Sequence, residues 1–276
     1  MARAPIAAKK GLIFTPSNHS YRLDGKAVPG VTTILGVLDK PALIKWSAKM
    51  VAEYVADHPD TIEVLRDSGR NALVNTLKEV PWQARDKAAD RGTDIHDYAE
   101  QLLNGTELDI DDILPALVPV LENAIAFLDD WQISPLLIEA PCASRTDWWA
   151  GTLDLVADYV HPVTKAAGRG VFDWKSGKAL YPEYAWQFAA YGHAEFSGLG
   201  SDETPMPTGI TSSFGVHIRA DGYDVAPMAY SDAVYQEFVQ IRRTYDVVKA
   251  GRGDWKKPGS GHVGLMIQSG DEVSVS

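Results

Sequence analysis

The chain has 276 residues, with 37 Asp and Glu against 26 Lys and Arg, and a formal net charge of −11. Its 45% hydrophobic and 23% charged residues are those of a folded globular protein rather than a disordered chain, and the acidic balance argues against a histone-like or other charge-driven nucleic-acid binder. A lone cysteine, Cys142, excludes an intrachain disulfide framework, a cysteine-ligated iron–sulfur cluster and a four-cysteine zinc site.

The charge is unevenly spread. Residues 1–50 carry eight basic and two acidic side chains, a net charge of +6, which leaves −17 for the rest. No apolar run reaches the roughly 20 residues that span a bilayer, and the basic N-terminus lacks the apolar core of a signal peptide, so a soluble, cytoplasmic protein without membrane contact is expected.

Residues 1–40 read as strand and loop, with a hairpin around Asp24-Gly25 followed by Val28-Pro29-Gly30-Val31-Thr32-Thr33-Ile34-Leu35. Residues 41–135 read as helical. Leu43, Trp46, Met50 and Tyr54 mark an amphipathic helix ending near His58-Pro59. A second helix starts at Asp60 as N-cap and runs through Ile62, Leu65, Leu73 and Leu77, weakened at Gly69. A third spans about Trp82 to Leu103 and stops at Asn104-Gly105, and a fourth covers Ile113 to Trp131.

Residues 136–250 read as a strand-rich core. Strands are expected at Leu136–Ala143, Trp149–Val160 and Gly170–Lys175, then a helix from Pro182 to Ser197. A hairpin (Ile210–Arg219 with Tyr223–Met228) and a closing helix, Asp232 to Lys249, complete it, and residues 251–276 read as a mobile tail. The fold class is α/β, one integrated domain with a helical N-terminal region.

Four segments carry candidate chemistry. In the third helix Gly92, His96, Ala99 and Leu103 share a face, and Glu100 follows His96 by one turn. In Gly151-Thr152-Leu153-Asp154-Leu155-Val156, alternation sets Leu153 and Leu155 on one side and Thr152, Asp154 and Val156 on the other. A buried Asp154 needs a cation, a metal or a proton. In Val171-Phe172-Asp173-Trp174-Lys175-Ser176-Gly177-Lys178, Asp173 and Lys175 share a face. Gln187 and Tyr191 lie one helical turn apart. Each segment alone has an ordinary structural explanation: a core histidine, a cap or an edge ion pair. Two carboxylates on adjoining strands beside an ammonium instead suit a hydrolytic magnesium site, with carboxylate oxygens on the hard cation and lysine against developing charge.

In this order the segments resemble the RecB-like branch of the PD-(D/E)XK nuclease superfamily, whose usual Asp-x-Lys-Thr-Gly-Lys is close to Asp173-Trp-Lys-Ser-Gly-Lys. The Val28–Leu35 segment, with Leu43 and Trp46 beyond it, is similar to the Pro-Ser-Val-Thr segment of phage exonucleases and of the mitochondrial genome maintenance exonuclease. The resemblance implies a restriction-endonuclease-like core, a central mixed sheet flanked by helices. It implies His96, Asp154, Asp173 and the carbonyl of Trp174 as ligands of Mg2+ or Mn2+, with Lys175 as the catalytic lysine. Gln187 and Tyr191 would support the site and contact DNA, with Glu139 and Glu100 behind the ligands. Gly30 stands where the related exonucleases carry serine, and the single cysteine excludes the iron–sulfur members.

The implied activity is a metal-dependent DNA exonuclease acting at ends or on single strands, in recombination, repair or replication, with a possible partner protein from those processes. DNA would be gripped by the basic N-terminal region, through Thr32, Thr33, Lys40, Lys45 and Lys49. The alternatives are a non-catalytic DNA-binding or recombination-accessory protein on the same fold, and a hydrolase of small phosphoesters.

Overall fold

The computed structural model describes residues 11–106, 113–175 and 181–254, apart from the side chains of 86–96 and 251–254. Three short strands, β1 (Leu12–Thr15), β2 (Ser20–Leu23) and β3 (Lys26–Val28), form a small antiparallel sheet turning at Asp24-Gly25. Both turn residues have positive φ, 48° and 81°. That is the left-handed geometry an Asp-Gly hairpin favours.

Four helices follow: α1 (Val31–Leu35), α2 (Pro41–Asp57), α3 (Pro59–Asp67) and α4 (Arg70–Leu103). The expectation of strand and loop up to residue 40 is corrected at α1, where Val31, Ile34 and Leu35 turn one apolar face into the core. Asp60 is not an N-cap: Pro59 opens α3, because its fixed φ suits a first helical turn, and Asp60 lies within that turn. The second and third expected helices divide at Gly69 rather than near Trp82. Gly69 adopts φ 103°, which ends α3, whereas α4 continues through Pro81. Proline disfavours a helix interior, but the packing of α4 on α2 and α3 overrides that local cost.

After α5 (Val118–Asp130) come β4 (Ser134–Ser144), β5 (Trp149–Val160) and β6 (Ala167–Trp174), then α6 (Glu183–Gly192). The remaining elements are β7 (Phe196–Ser197), β8 (Thr204–Pro205), β9 (Ser212–Arg219), β10 (Gly222–Met228) and α7 (Asp232–Asp254). Two helix boundaries move. α5 starts at Val118 rather than Ile113, and α6 stops at Gly192, where a Cβ would strike the Tyr230 hydroxyl. Helix α7 extends over residues 251–254, which the composition had placed in the tail; residues 255–276 lie outside the description.

The seven strands form one mixed sheet in the order β10-β9-β6-β5-β4-β7-β8, in which only β6 and β9 run parallel. Helices cover both faces. On one, α1, α6 and α7 enclose Val31, Ile34, Phe188, Tyr191 and Phe238 over Trp149, Leu153, Val156 and Val171. On the other, Phe127 of α5 meets Phe172 and Trp174 edge-on, with centroids 6.1 and 5.6 Å away. Leu153 joins the first cluster and Leu155 the second, so the expected alternation fails across Asp154. The irregularity lies where the β4–β5 pairs Ala140↔Leu153 and Ile138↔Leu155 bracket Glu139, whose φ is 42°. No helix among the described residues is long and apolar enough to cross a membrane.

Candidate active site

The central strands β5 and β6 bring two carboxylates to the α6 face of the large sheet. Asp173 is 1% exposed and Asp154 8%. Burying charge this deeply is costly unless partners compensate, and both residues have them. Asp154 Oδ2 accepts the backbone N–H of Trp174 at 2.8 Å, which ties β5 to the end of β6. Asp173 forms an ion pair with the ammonium of Lys175, two residues on and on the same face.

Helix α6 lies over this pair. The amide nitrogen of Gln187 donates to Asp173 Oδ1 at 3.2 Å, and its oxygen accepts from Lys175 Nζ at 3.4 Å. One turn later the Tyr191 hydroxyl is 3.4 Å from the same amide nitrogen. Tyr184, one turn earlier, puts its ring 4.3 Å from Lys175 Nζ, and Phe188 stands 5.5 Å away. The helix thus presents an aromatic wall and one bridging amide to the ammonium and carboxylate.

Burial by itself would lower the pKa of Lys175. The charge and hydrogen bond of Asp173, and the charge of Asp154, outweigh it, so the value lies above 10.5. Lys175 is therefore a fixed cation and hydrogen-bond donor at neutral pH, suited to an anion and unsuited to accept a proton. Burial raises the Tyr191 pKa well above normal, and Tyr184 is raised for the same leading reason, so both phenols stay protonated.

Gly151 explains how Tyr191 reaches its place, since a Cβ there would lie 2.7 Å from Cε1 of the ring. On the neighbouring residue, the Thr152 hydroxyl meets that of Tyr21 at 2.9 Å, joining the small sheet to β5. The N-terminal segment is anchored again where the Ala150 N–H donates to the carbonyl of Pro29 at 3.0 Å.

Asp154, Asp173, Lys175, Gln187 and Tyr191 thus come together, with the Trp174 peptide beside Asp154. Glu139 lies half-buried on β4, between the pairs that flank Asp154. Glu100 is half-buried near the end of α4. The side chain of His96, and residues 176–178 of the lysine motif, lie outside the described residues. Thr32 and Thr33 are exposed on α1, and Lys40, Lys45 and Lys49 are exposed at the start of α2 and along it. Lys49 is partly engaged by Glu53 at 3.3 Å.

Strand β9 adds groups not singled out from sequence. Phe214, Val216 and Ile218 enter the α5 cluster, so Gly215, His217 and Arg219 turn to the face of Asp173 and Lys175. The signal was the period-two pattern itself, which identified the strand without showing which sheet neighbour it had.

The implied cation can be weighed against these donors. Asp154 and Asp173 offer carboxylate oxygens and the Trp174 peptide a carbonyl, the donor class that Mg2+ and Mn2+ take. Among the described residues no group of three or more His, Cys, Asp or Glu is placed to hold a metal ion, and the side chain of His96 is not among them. The residues present fit an oxygen-rich site with the two aspartates as its acidic ligands. The sequence matches no known protein family and no curated protein.

Proposed function

We propose that the chain is a metal-dependent nuclease that hydrolyses phosphodiester bonds of DNA at ends or on single strands, built on a restriction-endonuclease-like core. What supports this reading above all is the bridge made by Gln187. One side chain from a separate helix touches both Asp173 and Lys175, and the adjoining strand delivers Asp154 to the same end of β6. An ion pair present only for stability has no need of that convergence, and a hydrophobic replacement of the set would cost less to bury.

Asp154, Asp173 and the Trp174 carbonyl would hold Mg2+ or Mn2+. Such a cation, when bound, lowers the pKa of water and polarises a phosphoryl oxygen. The chain's own groups supply the rest. Lys175 donates a charge-assisted hydrogen bond to a non-bridging phosphate oxygen and offsets charge as it develops there. Gln187 fixes the angle between Lys175 and Asp173, so neither must reorganise as the phosphate reacts. Tyr184 and Phe188 shield the ammonium from water on the helix side, which strengthens its field at the substrate.

Linear duplex and single-stranded DNA incubated with Mg2+, with Mn2+ or with chelator test the proposal. Cleavage in either metal and none in chelator is the expected result. DNA binding without cleavage would instead make the protein an accessory factor, and turnover of small phosphoesters alone would make it a different hydrolase.

A further inference from the structure

His217 stands beside Lys175 on the next strand. The parallel ladder pairs Asp173 with Gly215 and Trp174 with Val216, and the Lys175 N–H donates to the Val216 carbonyl at 2.8 Å. That hydrogen bond carries the register one step further, to Lys175 opposite His217, and both side chains leave the same face of the sheet. Neighbouring strands are about 4.8 Å apart, so the imidazole extends the polar surface of the site sideways by roughly that amount.

The chemistry of its neighbours fixes the state of the ring. Arg219 Nη1 lies 3.2 Å from His217 Nδ1. A guanidinium has only donors, so Nδ1 must accept, the ring must be neutral and the proton must sit on Nε2. Burial, and then the Arg219 charge, hold the pKa below 6.5, and the opposing charges of Asp224 and Asp221 do not reverse this. Arg219 is itself held, by Asp224 Oδ2 at 2.6 Å and Asp221 Oδ1 at 3.0 Å. Its role is to lock the ring. The Nε2–H has no hydrogen-bond partner among the described residues.

A half-buried imidazole locked in one tautomer, with its remaining donor on the same face as Asp173 and Lys175, is more than packing requires. We infer that His217 contacts substrate, its Nε2–H donating to a non-bridging oxygen of the backbone phosphate next to the one held by Lys175. The inference rests on the nuclease reading and extends it to a second phosphate along the strand.

Steady-state cleavage of a fluorescently labelled single-stranded oligonucleotide in Mg2+ tests it, comparing wild type with His217→Phe and His217→Gln in the full chain. Phenylalanine keeps a ring and removes the donor; glutamine replaces the donor at about the position of Nε2. The expected result is a KM raised roughly tenfold in His217→Phe, the effect of losing one hydrogen bond to a charged group, with kcat changed less than about threefold. His217→Gln should return KM close to wild type, a rescue that a merely structural role would not give. An unchanged KM in His217→Phe, or a His217→Gln variant as impaired as it, overturns the inference while leaving the nuclease reading intact. Failure of the wild type to cleave in either metal overturns both.

Discussion

A Cβ on Gly151 would lie 2.7 Å from Cε1 of Tyr191. The ring is 3% exposed and cannot move aside freely, so β5 and α6 approach as they do because position 151 has no side chain. The contact also sets the height of α6 above the sheet, and hence the reach of Gln187 to Asp173.

Gly151→Ala should therefore destabilise the fold by about 1–3 kcal/mol, the usual range for overpacking a core. It should also reduce activity, through loss of the Gln187 bridge. In a Tyr191→Leu background the same change should cost clearly less, since the opposing ring is gone. Thermal melts of the four proteins in this cycle measure the coupling, and equal costs in both backgrounds would reject the steric explanation.

The protonation of Lys175 gives a second prediction. Its pKa is raised because the charges of Asp173 and Asp154 outweigh burial. The stability linked to this group is fully present below the ordinary value of 10.5 and is lost only as pH rises through the higher folded value. Asp173→Asn removes the principal opposing charge and leaves the burial, so the pKa should fall. Carbon-13 NMR of the labelled lysine side chain would follow the titration, and a value unmoved or raised in Asp173→Asn would contradict this electrostatic account.

Phe127 is fully buried and meets Trp174 edge-on at 5.6 Å, one residue before Lys175. Phe127→Ala should cost about 3–5 kcal/mol in denaturant unfolding, the range for removing a buried aromatic. If the variant remains folded, DNA cleavage should also fall, because Trp174 supports the backbone N–H held by Asp154. Unchanged stability would mean that the α5 face is packed differently.

The basic N-terminal region predicts a salt response. Each phosphate neutralised on single-stranded DNA contributes about −0.7 to the slope of log affinity against log salt. Replacing Lys40 and Lys45 with Gln should make that slope shallower by about 1.4, and Lys49→Gln should add less because Glu53 already engages Lys49. Fluorescence anisotropy over a range of salt concentrations measures it. A slope that ignores all three lysines would remove this patch from the DNA path.

The parts of the site that were legible in sequence are those set by short-range geometry. Asp173 and Lys175 follow from the period of a strand, and Gln187 with Tyr191 from the turn of a helix. The side assigned to Leu153 and Leu155 failed because the irregularity opposite Asp154 belongs to strand pairing, and Glu139 sits in a backbone state that its own sequence does not signal. The continuous α4 was hidden for a related reason. Pro81 is a local stop signal, and only the packing of α2 and α3 against the helix overrides it. His217 was visible as a strand residue, but its place beside Lys175 depends on a parallel pairing between segments separated by α6, β7 and β8. Glu100 has the right helical spacing for a role near His96, yet spacing along one helix says nothing about its distance from the sheet.

The most direct test of the account is the rate of hydrolysis of a linear DNA in Mg2+ by the wild type and by Lys175→Ala, with circular dichroism to verify that the variant is folded. Removing a preorganised charge-stabilising donor should lower kcat by about 100-fold or more, with the fold retained. Undiminished cleavage by folded Lys175→Ala would show that the chemistry occurs elsewhere, and the assignment of Asp154, Asp173 and Lys175 as the active site would be wrong.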